Sequence, residues 1–521
     1  HLLLCIICFQ SVNAQLLINE YSAANYDSYQ DNYGEYEDWV EIYNSTANPI
    51  DVNGYFITDK VSNLTKWQVP SSFIIPANDV GIIFCSGRDE ISVGGVAHTN
   101  FKITQTKGNE VLMISDASQV LLDSISVRSN LKSHSMGRET NGSSTWSVFD
   151  NATPATANLG SFQQYSSTPV FSIPSGYYTG SAQVIITSPN PLATIYYTTD
   201  GSEPDNTSAQ YTTPITFVQT TVLKAVAYSL NPNILPSFIE YNTYFIDDTH
   251  TIPILSVSGD SVAVLIEDGL QTIGGGWNGP PHEPQGTIEW FDKNGVLIDK
   301  GTGEFNKHGN DSWAYDQRGF DYIMRDQFGY NYALKDKLFM TKDRDKFQRI
   351  IVKAAANDNY PETNGGAHIR DQYVHHLSQL ADLRMDERSY QSCIVYLNGD
   401  YWGVYEMREK VDDHDFTDYY YDQDKNNLQY LKTRGGTWTE YGAPNAQPDW
   451  DNFVNFVTTN PMVVPANYNT AKSEYNTGSL IDYFLLNSYV VCADWLNWNT
   501  AWWRGMDPNG DKKKWRYTLW D

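Results

Sequence analysis

The chain has 521 residues and a formal net charge of −27, with 62 acidic against 35 basic side chains. That length exceeds what one hydrophobic core serves, so two to four domains are expected. The acidity repels phosphate backbones and anionic lipid, which excludes nucleic acid as a leading partner; it suits a basic substrate, although a solubility device is the favoured reading.

The opening HLLLCIICFQSVNAQ holds an apolar run, Leu2 to Phe9, too short to span a bilayer. Val12-Asn13-Ala14 puts small residues at the cleavage-determining positions. Residues 1–14 therefore read as a signal peptide that lacks its charged n-region, with Gln15 as the mature N-terminus. This predicts a secreted or cell-surface protein. No later segment reaches about 18 apolar residues, so no transmembrane helix is expected. Beyond the signal remain Cys85, Cys393 and Cys492. An odd number this widely spread predicts buried free thiols, not a disulfide framework or a zinc cluster.

Residues 15–160 read as short strands between turns, among them DWVEIYN, YFITD, VGIIFCSG and VLMISD. With 14% aromatic residues in the chain and no helical stripe here, an antiparallel sandwich is predicted. LLINEYSAAN, DWVEIYNSTANPIDVNGYFITD and the closing SHSMGRETNGSSTWSVFDNATPATAN resemble a bacterial lamin tail domain. The resemblance implies an immunoglobulin-like module for binding or surface display, with no catalytic residues. The acidic run Asp27, Asp31, Glu35, Glu37, Asp38 offers oxygen ligands of the kind calcium takes, but in no known loop spacing, and a solvated face is the favoured reading.

After a short linker, SSTP, residues 170–247 alternate clearly in ATIYYTT and TVLKAVAY, and Asp200-Gly201 signals a hairpin turn. YYTTDGSEP resembles the hallmark of the C-terminal β-sandwich of chitobiase and β-hexosaminidase enzymes. In that family the module accompanies an enzyme. Tyr196 and Tyr197 offer contact to a cell-surface glycan, although packing of one sandwich face is the favoured reading.

From 252 to 521 the composition shifts. A Gly/Pro-rich loop with Gly274–Gly276 comes first, and helices appear. Ile369, Tyr373, Leu377 and Leu380 recur at helical spacing, and GSLIDYFLLNSYVVC predicts a second, more apolar helix. A mixed α+β domain is expected. Adjacent His375 and His376 point about 100° apart on a helix, so they read as structural or solvated and not as joint metal ligands.

Asp494-x4-Asn499 is one of four Asp-x4-Asn matches, with Asp27/Asn32, Asp326/Asn331 and Asp422/Asn427. It alone follows a predicted helix and precedes a strand-end acid, Asp521. Phosphoryl transfer needs such a set: one carboxylate to orient or deprotonate the acceptor hydroxyl, and an amide oxygen with a second carboxylate to hold Mg²⁺. YLNGDYWGVYEMREKVD, HIRDQYVHHLSQL and LIDYFLLNSYVVCADWLNWNTAWWRG with KKWRYTLWD resemble the CotH (spore coat protein H) kinase family. The resemblance implies an atypical protein-kinase-like domain that uses ATP and Mg²⁺ to phosphorylate protein serines. By motif, Asp494 is its catalytic aspartate, and Asn499 and Asp521 are its metal ligands.

Two departures stand out. Where the family places phosphate-binding lysines, this chain has Gln317 and Arg318, so Arg318 is the expected nucleotide-binding residue, with Lys307 or Lys353 as substitutes. The family also continues past its last motif, whereas this chain stops at Asp521, so the domain is expected to be truncated at its C-terminus. The reading is thus of two all-β immunoglobulin-like sandwiches followed by an α+β kinase-like domain. Its function would be phosphate transfer to a secreted or envelope protein. The alternative is a non-catalytic surface adhesion or carbohydrate-binding protein carrying a pseudokinase.

Overall fold

The computed structural model describes residues 15–267, 283–309, 313, 315–359, 365–442 and 444–520. The signal-peptide segment, Gly274–Gly276 and Asp521 lie outside the described residues. The chain divides into two compact units. One runs through Ile246 and takes in Gly301–Gly303 and Arg325–Tyr332; the other comprises Asp247–Lys300, Glu304–Met324 and Ala333–Asp521.

The first unit begins with a seven-stranded and a four-stranded sheet. Leu16–Ser22 lies between Trp39–Asn44 and Ser135–Arg138, and Ile18, Val40, Ile42 and Ile83 enter one core with Ile57 and Leu112. The polar face of these strands is buried as well. Glu41 accepts hydrogen bonds from Asn19 Nδ2 (2.7 Å) and Ala155 N (2.8 Å), and Glu20 accepts from Ser135 Oγ (2.6 Å) and Thr153 N (2.9 Å). The closing Thr-Pro segment is thereby pinned by two inward carboxylates, and burial pushes that of Glu41 up to about 8. The acidic run does not gather. Asp27 and Glu37 meet Lys132 and Lys102, Glu35 meets Arg88, Asp31 Oδ1 accepts from its own loop, and Asp38 is buried. Among the described residues these carboxylates form no group with metal-ligand spacing.

Further along, a five-stranded sheet runs in the order Gly176–Tyr178, Glu240–Ile246, Thr221–Ser229, Ala193–Thr198, Ala209–Gln210. Tyr197 packs against the core of this part and edge-on to Tyr211, in keeping with the packing reading. Asp200-Gly201 is not a two-residue hairpin. Tyr197 pairs with Ala209, so a longer loop intervenes, and Pro204 within it has no N–H to continue a ladder.

The second unit is built on a closed seven-stranded barrel: Ile254–Ser258, Gln285–Phe291, Leu297–His308, Gly319–Met324, Arg349–Lys353, Asp400–Arg408 and Tyr390–Leu397, closing in parallel on the first. Side chains alternate across each strand. Phe320, Tyr322, Ile350, Val352, Tyr405 and Met407 fill the interior. The intervening Asp321, Lys353, Glu406 and Arg408 therefore project from the outer wall. The hairpin 390–408 turns at Asn398 (φ 51°) and Gly399 (φ 94°). Gly403 has φ 123°, and a Cβ there would meet Gln317 Nε2 at 2.0 Å, so that position requires glycine.

A four-stranded antiparallel sheet follows, ordered Gly436–Tyr441, Leu428–Arg434, Thr500–Gly505, Arg516–Leu519. Helix Thr477–Tyr489 lies against it, with Tyr483 stacked on Tyr517 at 4.3 Å. The expected helix Arg370–Leu380 is present, but its orientation departs from the apolar stripe. Ile369, Tyr373 and Leu380 are exposed, while Gln372, His375 and Ser378 are buried. The neighbours explain this: Asp371 bonds Lys353 and Arg408 on the outer wall of the barrel, His375 and Ser378 bond Arg388 N and Glu387 just ahead of strand Tyr390–Leu397, and of the expected stripe Leu377 alone packs, with Val374, on the cluster of Tyr483 and Leu486. The protein as described is mostly β, more so than the expected α+β domain. No described helix is long and apolar enough to cross a membrane.

Candidate functional site

A cleft of about 560 Å³ opens in the second unit. Six cationic side chains line it, Lys307, Lys353, Arg370, Arg388, Lys410 and Arg434, against four carboxylates, Asp321, Asp358, Asp371 and Asp494. In a chain with 62 acidic and 35 basic residues, this is a local inversion of charge. Such a surface attracts anions.

Asp494 and Asn499 both line the cleft, on the loop between helix Thr477–Tyr489 and strand Thr500–Gly505. Asn499 takes φ 45°, a conformation asparagine tolerates. Its Nδ2 donates to Asp494 Oδ2 at 3.0 Å. Trp520, just beyond strand Arg516–Leu519, lines the same cleft; Asp521 is outside the described residues. Of the three other Asp-x4-Asn matches, none lines this cleft.

Arg318 does not line it. The guanidinium donates to three backbone carbonyls, Trp313 O (3.0 Å), Ile266 O (2.9 Å) and Glu267 O. The residues at the cleft are the two named as substitutes. Lys353 ends a barrel strand and donates to Asp371 Oδ2 at 2.7 Å, in the first turn of helix Arg370–Leu380. Arg408 reaches the same oxygen at 3.0 Å. Burial opposes ionisation of Asp371, but Lys353 and Arg408 outweigh it and hold the carboxyl well below its usual range. Lys307 stands over the Trp313 ring at 5.2 Å.

Sequence reasoning missed the buried ionic chain behind the cleft. His308 Nδ1 lies 2.8 Å from Asp321, whose other oxygen lies 3.1 Å from Lys410 Nζ. Lys410 is also 3.5 Å from Asp412, which lies 2.5 Å from Lys432. Lys410 and Asp412 sit inside the quoted motif, MREKVD, so their presence was visible; their role was not, because the partners are about 20 to 90 positions away.

His375 is buried, and its Nδ1 accepts the backbone N–H of Arg388 at 3.2 Å. Burial, then the charges of Arg408 and Arg388, hold its pKa well below the ordinary value. The unfolded chain takes up a proton near pH 6.5 and the folded one does not. This contribution to stability is therefore complete above that pH and declines as pH falls below it, by up to about 1.4 kcal/mol per pH unit. His375→Gln should remove the slope. Urea unfolding at about pH 7.5 and about pH 5.5 should show the wild type losing about 1 kcal/mol more than the variant.

The free thiols fall partly as expected: Cys85 and Cys393 are buried, whereas Cys492 is half-buried and lines the cleft.

Three family models match the chain in N- to C-terminal order. The Lamin Tail Domain covers residues 10–129, the Chitobiase/beta-hexosaminidase C-terminal domain covers 173–233, and the CotH kinase protein model covers 307–521. The last contains all of the cleft residues named above. No curated protein matches the chain.

Proposed function

We propose that the CotH kinase family domain of this chain transfers phosphate from ATP to a serine hydroxyl of a secreted or envelope protein, with Mg²⁺ as cofactor. The observation that carries this reading is the cationic cleft in an acidic protein, with the Asp494–Asn499 pair at its wall. The donor set fits a metal–nucleotide pair. Lys353, tied to an acidic side chain on a helix, parallels the strand lysine and helix acid that protein kinases bring together on nucleotide phosphates. Asn499 uses its amide N–H on Asp494, which leaves the amide oxygen as the atom to meet a cation; Asp521 is the proposed second ligand. Mg²⁺ there would neutralise charge on the phosphate oxygens. Asp494, held by Asn499, orients the serine hydroxyl and accepts its proton. Lys353 and Lys410 bind phosphate oxygens, and the low-dielectric wall behind them strengthens that attraction.

The rival is a pseudokinase in an adhesion or carbohydrate-binding protein. The one observation in its favour is Arg318, held on backbone carbonyls at the place where the family has phosphate-binding lysines. Nucleotide binding separates the two. Mg-ATP at about 100 times its dissociation constant should stabilise the protein by roughly 2.7 kcal/mol. A melting temperature unmoved by nucleotide favours the pseudokinase.

A further inference from the structure

Arg388 has no place in the scheme above, yet its surroundings call for one. It is 2% exposed and lines the cleft. Its backbone is fixed by the N–H bond to His375. Its Nε has no hydrogen-bond partner among the described residues. The carboxylates nearby are engaged by other cations: Asp321 by His308 and Lys410, Asp412 by Lys432 and Lys410, and Asp371 by Lys353 and Arg408. Lys353, Arg408, Lys410 and Lys432 each have at least one carboxylate partner. Among the described residues, Arg388 is the cation beside them without an ion pair of its own.

A buried guanidinium with no ion pair of its own is costly. It persists where a ligand supplies the missing charge. Guanidinium is planar and binds phosphate through two parallel N–H···O bonds. We infer that Arg388 is a phosphate-binding residue of the cleft, receiving an oxygen of the nucleotide polyphosphate in place of a protein carboxylate. The assignment of that anion to a nucleotide rests on the kinase reading. The assignment of an anion to Arg388 rests on the burial and the unpaired donor.

The two come apart in one experiment with the full chain. Binding of Mg-ATP, adenosine, inorganic pyrophosphate and inorganic phosphate is measured by calorimetry for the wild type, Arg388→Met and Arg388→Lys. The melting temperature of each is recorded without ligand. The expected result has two parts of opposite sign. Arg388→Met weakens Mg-ATP and pyrophosphate by about 30-fold or more and leaves adenosine unchanged, while its ligand-free melting temperature stays level or rises, because a buried charge with no ion pair of its own has been removed. Arg388→Lys keeps the charge without the fork and falls between. Equal phosphate affinity in wild type and Arg388→Met overturns the inference, whatever happens to activity. So does a lower ligand-free melting temperature with unchanged phosphate affinity, which makes Arg388 a structural partner of the acidic cluster. Loss confined to pyrophosphate and phosphate, with Mg-ATP intact, overturns the nucleotide assignment. A wild type that binds pyrophosphate but not Mg-ATP sinks the kinase reading while Arg388 keeps its anion.

Discussion

Asp494→Ala should lower phosphate transfer by about 10²- to 10⁴-fold, the range for losing a general base. In barrier terms that is roughly 3–5 kcal/mol. The fold should not suffer, because Asp494 is exposed and its one side-chain partner among the described residues is Asn499. Removing the carboxylate leaves that amide in solvent, where water replaces the bond. Binding of Mg-ATP should change little, since the phosphate-facing cations sit on the barrel wall and not on this loop. Asp494→Asn sharpens the test. It keeps an oxygen for the Asn499 N–H but cannot take a proton. Equal loss in both variants assigns the effect to proton acceptance. Recovery in Asp494→Asn assigns it to the position of Asn499. Single-turnover transfer to a serine-containing acceptor is the readout, and unchanged rates in both variants place the base elsewhere.

What the sequence revealed and what it hid follow from range. The three modules were legible because strand alternation and turn residues are local, and the family motifs are contiguous. The loop of Asp494 and Asn499 was legible for the same reason: five positions, a helix before and a strand after. The cationic side of the cleft was not. Arg318 was the expected residue by position, yet its guanidinium lies among carbonyls contributed by Ile266, Glu267 and Trp313, which no spacing rule reveals. Helix Arg370–Leu380 misled in the other direction. Its apolar residues at helical spacing pointed to a buried stripe, but of the four only Leu377 packs, and the most buried positions are Gln372, His375 and Ser378. A hydrophobic period locates a core only when the neighbouring surface is apolar. Here the neighbour is the outer face of a barrel strand bearing Glu406 and Arg408, and only the barrel's closure reveals which residues that face presents.

The largest expected loss of stability lies in that same ionic wall. Asp412→Ala should cost about 3 kcal/mol, the lower end for breaking a buried pair, and lower the melting temperature of the second unit by roughly 6–12 °C. The side chains of Asp412, Lys432 and Lys410 are 2%, 7% and 13% exposed. Burial raises the Asp412 carboxyl, but Lys410, Lys432 and Arg388 outweigh it and keep it well below its usual range. Its contribution is therefore complete above about pH 4 and is lost as pH falls below that. The loss on mutation comes from what remains behind: two ammonium groups out of water with half their compensation gone. It stays at the lower end because Lys432 retains Glu440 at 3.2 Å and Lys410 retains Asp321. The same logic predicts rescue. Asp412→Leu with Lys432→Met removes both charges and restores apolar volume, so it should recover at least half of the loss. If the single variant melts with the wild type, the chain of charges is not what holds the barrel wall to the four-stranded sheet. If the double variant is worse than the single, Lys432 has a partner beyond Asp412 and Glu440. Phosphate affinity supplies a second check: Lys410 is presented to the cleft by Asp321 and Asp412 together, so Asp412→Ala should weaken pyrophosphate binding, and Asp412→Leu with Lys432→Met should restore stability without restoring that affinity.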